Sequence, residues 1–98
     1  MVQSKKIINL LTICRKAGKA VFGFDPCVGA NCELLLVTTD ISPKTLKDLK
    51  YKCPDTEILE IDLTKQDLSE VFHKQIAIVG ICDEGFSVGI KQVISNSE

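Results

Sequence analysis

Three cations within five residues, Arg15, Lys16 and Lys19, run into a glycine, Gly23, and then into a helix-start pair, Asp25–Pro26. Basic groups at one helix end neutralise phosphate, and the free N–H groups that open the next helix can meet its oxygens. The chemistry suggested is anion or nucleic-acid binding, with no bond made or broken. The segment 24–43 then contains no Lys or Arg. The pattern is a basic shoulder with a neutral-to-acidic tip. Cations in a last helical turn also have a purely structural role, because they complement the helix dipole.

Other reactive residues fit enzymatic chemistry poorly. Cys82 follows an apolar run and precedes a helix start, a position that can activate a thiol. A thiol phosphatase also needs an arginine six residues on; position 88 is Val, and no Arg follows Cys82. Gly80, Gly85 and Gly89 lack the dinucleotide spacing. Asp40, after another apolar run, lacks the companion acids a magnesium phosphoacceptor site requires. It reads as a turn before a Ser42–Pro43 helix start. His73 is the single imidazole; a lone histidine without a partner acid or nucleophile is a poor catalyst, and at the end of a short helix it reads as a surface residue. The five cysteines, at 14, 27, 32, 53 and 82, form no C-x-x-C and cannot all pair. Their spacing does not suit zinc. They read as small packed thiols in a reducing compartment. No metal or cofactor site is expected.

These groups must be held by elements that a 98-residue chain can fold, and that length suits one domain, residues 1–98. Hydrophobic residues make up 45% and charged residues 26%, which excludes a disordered chain. The apolar runs are too short for a membrane helix. Lys5 and Lys6 before an apolar stretch imitate a signal peptide only superficially, since Asn9, Thr12, Arg15 and Lys16 interrupt it. The expectation is a cytoplasmic protein. Net charge is −1, but residues 1–52 carry +5 and residues 53–98 carry −6. Such asymmetry can become two oppositely charged faces.

A first helix is expected from an N-cap at Ser4 to about Ala17, with Ile7, Leu11 and Cys14 on one face and Gly18 closing it. Residues 19–22 suit only a small strand. Asp25 as N-cap and Pro26 at the first helical position open a short helix containing Gly29 and ending near Asn31. Leu34–Val37 reads as a buried strand. Ser42 caps a helix with Leu46, Leu49 and Cys53 on one face. Ile58 and Leu59 lie in a strand, and Thr64 caps a helix carrying Leu68, Val71 and Phe72. The run at 75–81 is a buried strand, and Asp83 caps a last helix with Phe86, Ile90, Val93 and Ile94 inward. This alternation implies a central, mainly parallel sheet with helices on both faces.

The runs "LLTICRKAGKAVFG", "LLLVTTDISPKTLKDLKYKC" and "IVGICDEGF" together resemble the ribosomal L-seven-Ae/L-thirty-e family, in particular its short bacterial members. The likeness extends over about residues 5–94. It implies an α/β fold, a three-layer α-β-α sandwich with a four-stranded mixed sheet. It also implies no enzyme activity and binding to structured, kink-turn RNA of ribosomal type. The family's contacts come from a glycine turn, the helix after it and a loop before the last strand. Carried onto this chain, the resemblance implies phosphate contacts from Lys16 and Lys19. It also implies a turn of Phe22, Gly23, Phe24 and Asp25, and a second loop of His73, Lys74 and Gln75. Three positions depart from the family pattern: Asp25 replaces an asparagine, Pro26 a glutamate and Gly29 a lysine. A carboxylate only accepts hydrogen bonds and repels phosphate, proline offers no N–H, and glycine brings no charge. Before the last strand, Leu68–Ser69–Glu70 stands where the family has Leu–Gly–basic. The alternative is a protein-interaction module on the same scaffold, with Phe24, Cys27 and Val28 as exposed apolar contacts.

Overall fold

The computed structural model describes residues 2–30 and 32–95, with side chains from residue 5 onward. Nine elements alternate along it: α1 (Val2–Lys16), β1 (Ala20–Phe22), α2 (Phe24–Gly29), β2 (Leu34–Val37), α3 (Pro43–Lys52), β3 (Glu57–Glu60), α4 (Lys65–Phe72), β4 (Ile78–Ile81) and α5 (Glu84–Ser95). The helix starts follow the capping residues in three cases. The Ser42 hydroxyl accepts from Thr45 N–H at 3.1 Å. Thr64 and Asp67 form a reciprocal capping box. The Asp83 carboxylate accepts from Phe86 N–H at 3.0 Å. Gly18 ends α1 at φ 72°, the left-handed conformation that glycine adopts freely.

Two helix starts differ from expectation. Ser4 lies inside α1, which already begins at Val2. The N-cap of α2 is Gly23 instead of Asp25, so Asp25 and Pro26 fall at the second and third helical positions. A helix leaves its first few N–H groups without intrahelical partners, so a proline in the first turn forfeits no helical bond. No side chain caps α2. The expected end at Asn31 lies outside the described residues; the helix itself stops at Gly29, capped by Ala30.

The sheet has four strands in the order β1-β4-β2-β3. Only β2 and β3 are parallel. The last strand runs antiparallel to both β1 and β2, so the sheet is mixed, not mainly parallel. The three-layer sandwich holds. Alternation along the strands divides the apolar residues between two cores. Leu34, Leu36, Val79 and Ile81 pack with Ile7, Leu11, Leu68, Phe72 and Ile90 beneath α1, α4 and α5. Leu35, Val37 and Ile78 pack with Cys27 and Leu49 beneath α2 and α3. Gly80 faces this second layer and must stay bare: a Cβ there would stand 2.5 Å from Cys32 Sγ and 3.0 Å from Val21 Cγ2. No described helix is long and apolar enough to cross a membrane.

Candidate nucleic-acid interface

The pairing of β1 with β4 brings two distant loops together. Phe22 lies opposite Val79, and Gly23 N–H donates to the Ile78 carbonyl at 3.0 Å. The glycine turn therefore sits beside the segment that enters β4, where His73, Lys74 and Gln75 lie exposed. Side chains tie the two. The Phe22 and Phe72 rings stack at a tilt with centroids 4.8 Å apart. Lys74 Nζ stands 5.1 Å from the Phe22 centroid. The cation–π contact holds the ammonium at the edge of the sheet while leaving it able to meet an anion.

Each loop has a distinctive backbone. Gly23 has φ 94° and ψ 162°, a region open essentially to glycine alone. His73 caps α4 at φ 64° and ψ 20°, the one non-glycine residue with positive φ among the described residues. Its N–H donates to the Ser69 carbonyl at 2.8 Å. Histidine tolerates this left-handed cap better than most residues, and the cap turns the chain sharply out of α4. Gln75 Nε2 donates to Gln66 Oε1 at 2.9 Å, fixing the far side of the loop to the start of α4.

The basic shoulder lies elsewhere. Lys19 precedes β1 while Gly23 follows it, and four residues of extended chain separate them by about 13 Å. At the Lys19 end the neighbour is the β4–α5 junction, where Cys82 N–H donates to the Lys19 carbonyl at 2.8 Å. Lys16 and Lys19 are exposed. The two ion pairs found among the described residues, Lys44–Asp48 and Lys91–Glu57, involve neither of them, nor Arg15, Lys74 or Asp25. The structure thus gathers Phe22, Gly23, Phe24, Asp25, His73, Lys74 and Gln75 at one end of β1 and leaves Lys16 and Lys19 at the other. The turn itself is the single residue Gly23; Phe22 belongs to β1, and Phe24 and Asp25 to α2.

The expected apolar contact set is not exposed. Cys27 is buried, and Phe24 and Val28 are half-buried against the second core. Burial pushes the Cys14 thiol up to about 11 and those of Cys27 and Cys32 up to about 12. Asp40 has a structural role: its carboxylate accepts from Lys65 N–H at 3.1 Å, at the start of α4. The Thr38 hydroxyl, and then this N–H, hold its carboxyl below the ordinary value. Thr38 Oγ1 itself is fully buried without a partner at good hydrogen-bond geometry, so its influence on Asp40 is electrostatic proximity more than a formed bond. Sequence reasoning missed the part of Phe72, whose ring joins the two loops; its place on the buried face of α4, one residue before the loop, was the available signal. Among the described residues no three His, Cys, Asp or Glu side chains converge as metal ligands.

No protein-family model matches the chain, and no curated protein matches it. Solved structures do match. A protein with unknown function from Bacillus halodurans C superposes with a TM-score of 0.82 at 24% identity, over 92% of this chain and 97% of that one. A Giardia lamblia 15.5kD RNA binding protein superposes with a TM-score of 0.74 at 14% identity, over 98% of this chain and 88% of that one. The chain shares their fold along nearly its whole length.

Proposed function

We propose that the chain is a non-enzymatic, cytoplasmic protein that binds structured RNA, of the ribosomal L-seven-Ae/L-thirty-e kind, and that it receives a sharply bent duplex at the β1–β4 edge. The observation that carries this reading is the convergence of the Gly23 turn and the 73–75 loop, with Lys74 held over Phe22. The fold shared with the Giardia RNA binding protein supports it. Gly23 lets a backbone approach closely. His73 and Gln75 offer a flat ring and an amide to an unstacked base. Lys74 meets a phosphate beside the turn. Lys19, about 13 Å from Gly23, and Lys16 at the end of α1 meet phosphates further along the same strand. Asp25 at the tip opposes phosphate and makes the site weaker than a fully polar one.

A titration of the chain against a kink-turn duplex and a straight duplex of equal length, at two salt concentrations, tests the reading. Preference for the bent RNA at both salts is expected. Three phosphate contacts predict a fall in affinity of about 20- to 40-fold between 50 and 200 mM salt. Equal affinity for both duplexes would reduce the interaction to generic charge attraction, and no binding to either would end it.

A further inference from the structure

We propose that Cys32 and Cys82 form a two-thiol oxidation site, which hydrogen peroxide closes into a disulfide joining the segment before β2 to the segment after β4. Their Sγ atoms lie 3.7 Å apart although fifty residues separate them. Both thiols are free and only half-buried. The backbone supports the approach. Leu34 pairs with Ile81 in the antiparallel ladder, and Glu33 N–H donates to the Ile81 carbonyl at 2.8 Å. Cys32 and Cys82 therefore leave the sheet at the same end, one residue short of direct opposition. Strand spacing with a one-residue offset sets their Cα atoms about 6 Å apart, inside the disulfide range. Bond formation asks the sulfurs to close by about 1.7 Å, the scale of a side-chain rotation. Bare Gly80 makes room for Cys32 there.

The remaining thiols are placed differently. Cys14 and Cys27 are buried, and the Cys27 thiol donates to the Val21 carbonyl at 3.8 Å. Cys53 lies at the end of α3, beneath which it packs with the second core. In the proposed reaction Cys82 loses its proton and its thiolate attacks one oxygen of the peroxide. The O–O bond breaks, a sulfenic acid forms on Cys82, and hydroxide leaves and takes up a proton to become water. Cys32 then gives up its proton and attacks the Cys82 sulfur. The S–S bond forms, and the sulfenic oxygen leaves as a second water. Two thiols and one hydrogen peroxide yield one disulfide and two waters, with two electrons passing from sulfur to peroxide. Burial and the adjacent Cys82 favour the neutral thiol of Cys32, so Cys32 is not the first nucleophile and gives up its proton only as it attacks the Cys82 sulfur. The bond would brace the segment after α2 against the junction that holds Lys19 through the Cys82 N–H. The inference stands independently of RNA binding.

The test oxidises the folded, reduced chain with one equivalent of hydrogen peroxide, alkylates the free thiols and digests with trypsin. Residues 20–44 carry Cys27 and Cys32, and residues 75–91 carry Cys82. The expected product is a linked pair of these peptides, two hydrogens lighter than their sum and released by reductant. It should form at least about tenfold faster than in the denatured chain, because the fold holds the sulfurs together. It should persist in Cys27→Ser and vanish in Cys32→Ser. Fragment sequencing of the linked peptides from the unsubstituted chain assigns the sulfur should a variant fail to fold. Cys82 remaining as free as in denatured protein, or a bond that maps to Cys27, would overturn the proposal.

Discussion

At position 25 a carboxylate occupies the exposed first turn of a six-residue helix, where it complements the helix dipole but opposes RNA. Asp25→Asn trades that repulsion for an amide able to donate and accept. Binding of kinked RNA should tighten by about 1 kcal/mol, roughly fivefold, read in a direct titration. An unchanged or weaker affinity would remove Asp25 from the interface. His73 poses a different balance. Its Cβ is crowded at φ 64°, so His73→Gly should raise stability by up to about 1 kcal/mol in chemical denaturation. The same change should weaken RNA binding, because the ring is lost. A gain in stability with RNA affinity untouched would confine His73 to capping α4. The residue type made His73 visible in the sequence. Its left-handed backbone was not visible, since it depends on how α4 turns into β4.

Helices announced themselves through their caps: Ser42, Thr64 and Asp83 each accept the N–H bond their position implied. The start of α2 was misplaced because Gly23 caps it with backbone geometry alone, which leaves no side-chain signal, whereas Asp25–Pro26 imitates one. Strand direction was also hidden. Alternating helices and strands suggest parallel crossovers, yet β4 enters between β1 and β2 and opposes both. That reversal shapes the proposed site: it brings residues 73–75 to the Gly23 end of β1 and not to the Lys19 end. Gly80→Ala inserts a methyl 2.5 Å from Cys32 Sγ and 3.0 Å from Val21 Cγ2. It should cost roughly 1–3 kcal/mol in a denaturant melt. Cys32→Ala should restore part of that loss, leaving the Val21 contact, because Cys32 can yield only by moving. Asp40 ties the β2–α3 loop to the start of α4, and its carboxyl titrates below the ordinary 3.8. A depressed folded value contributes stability that is complete above about pH 4 and drains away as the pH falls through that lower value. The Asp40→Asn variant should lose less stability than the unsubstituted chain between pH 6 and pH 3, measured by denaturant midpoints. Parallel losses in both proteins would exclude Asp40 as the source.

Across the whole molecule, charge divides between +5 in residues 1–52 and −6 in residues 53–98, but the proposed interface does not draw its cations from one place. The cations of the proposed interface split between the two ends of β1, and Lys74 comes from the acidic half. A net charge of −1 is therefore compatible with a local phosphate-binding edge of few contacts. In the proposed complex, RNA meets the edge where β1 and β4 pair. Backbone amide chemical shifts, followed while a kink-turn duplex is added to the chain, test it most directly. The largest changes are expected at Gly23, Phe24 and Asp25 and at His73, Lys74 and Gln75, with smaller ones at Lys16 and Lys19. Changes concentrated on α3 and β3, with Gly23 and Lys74 unmoved, would contradict this placement.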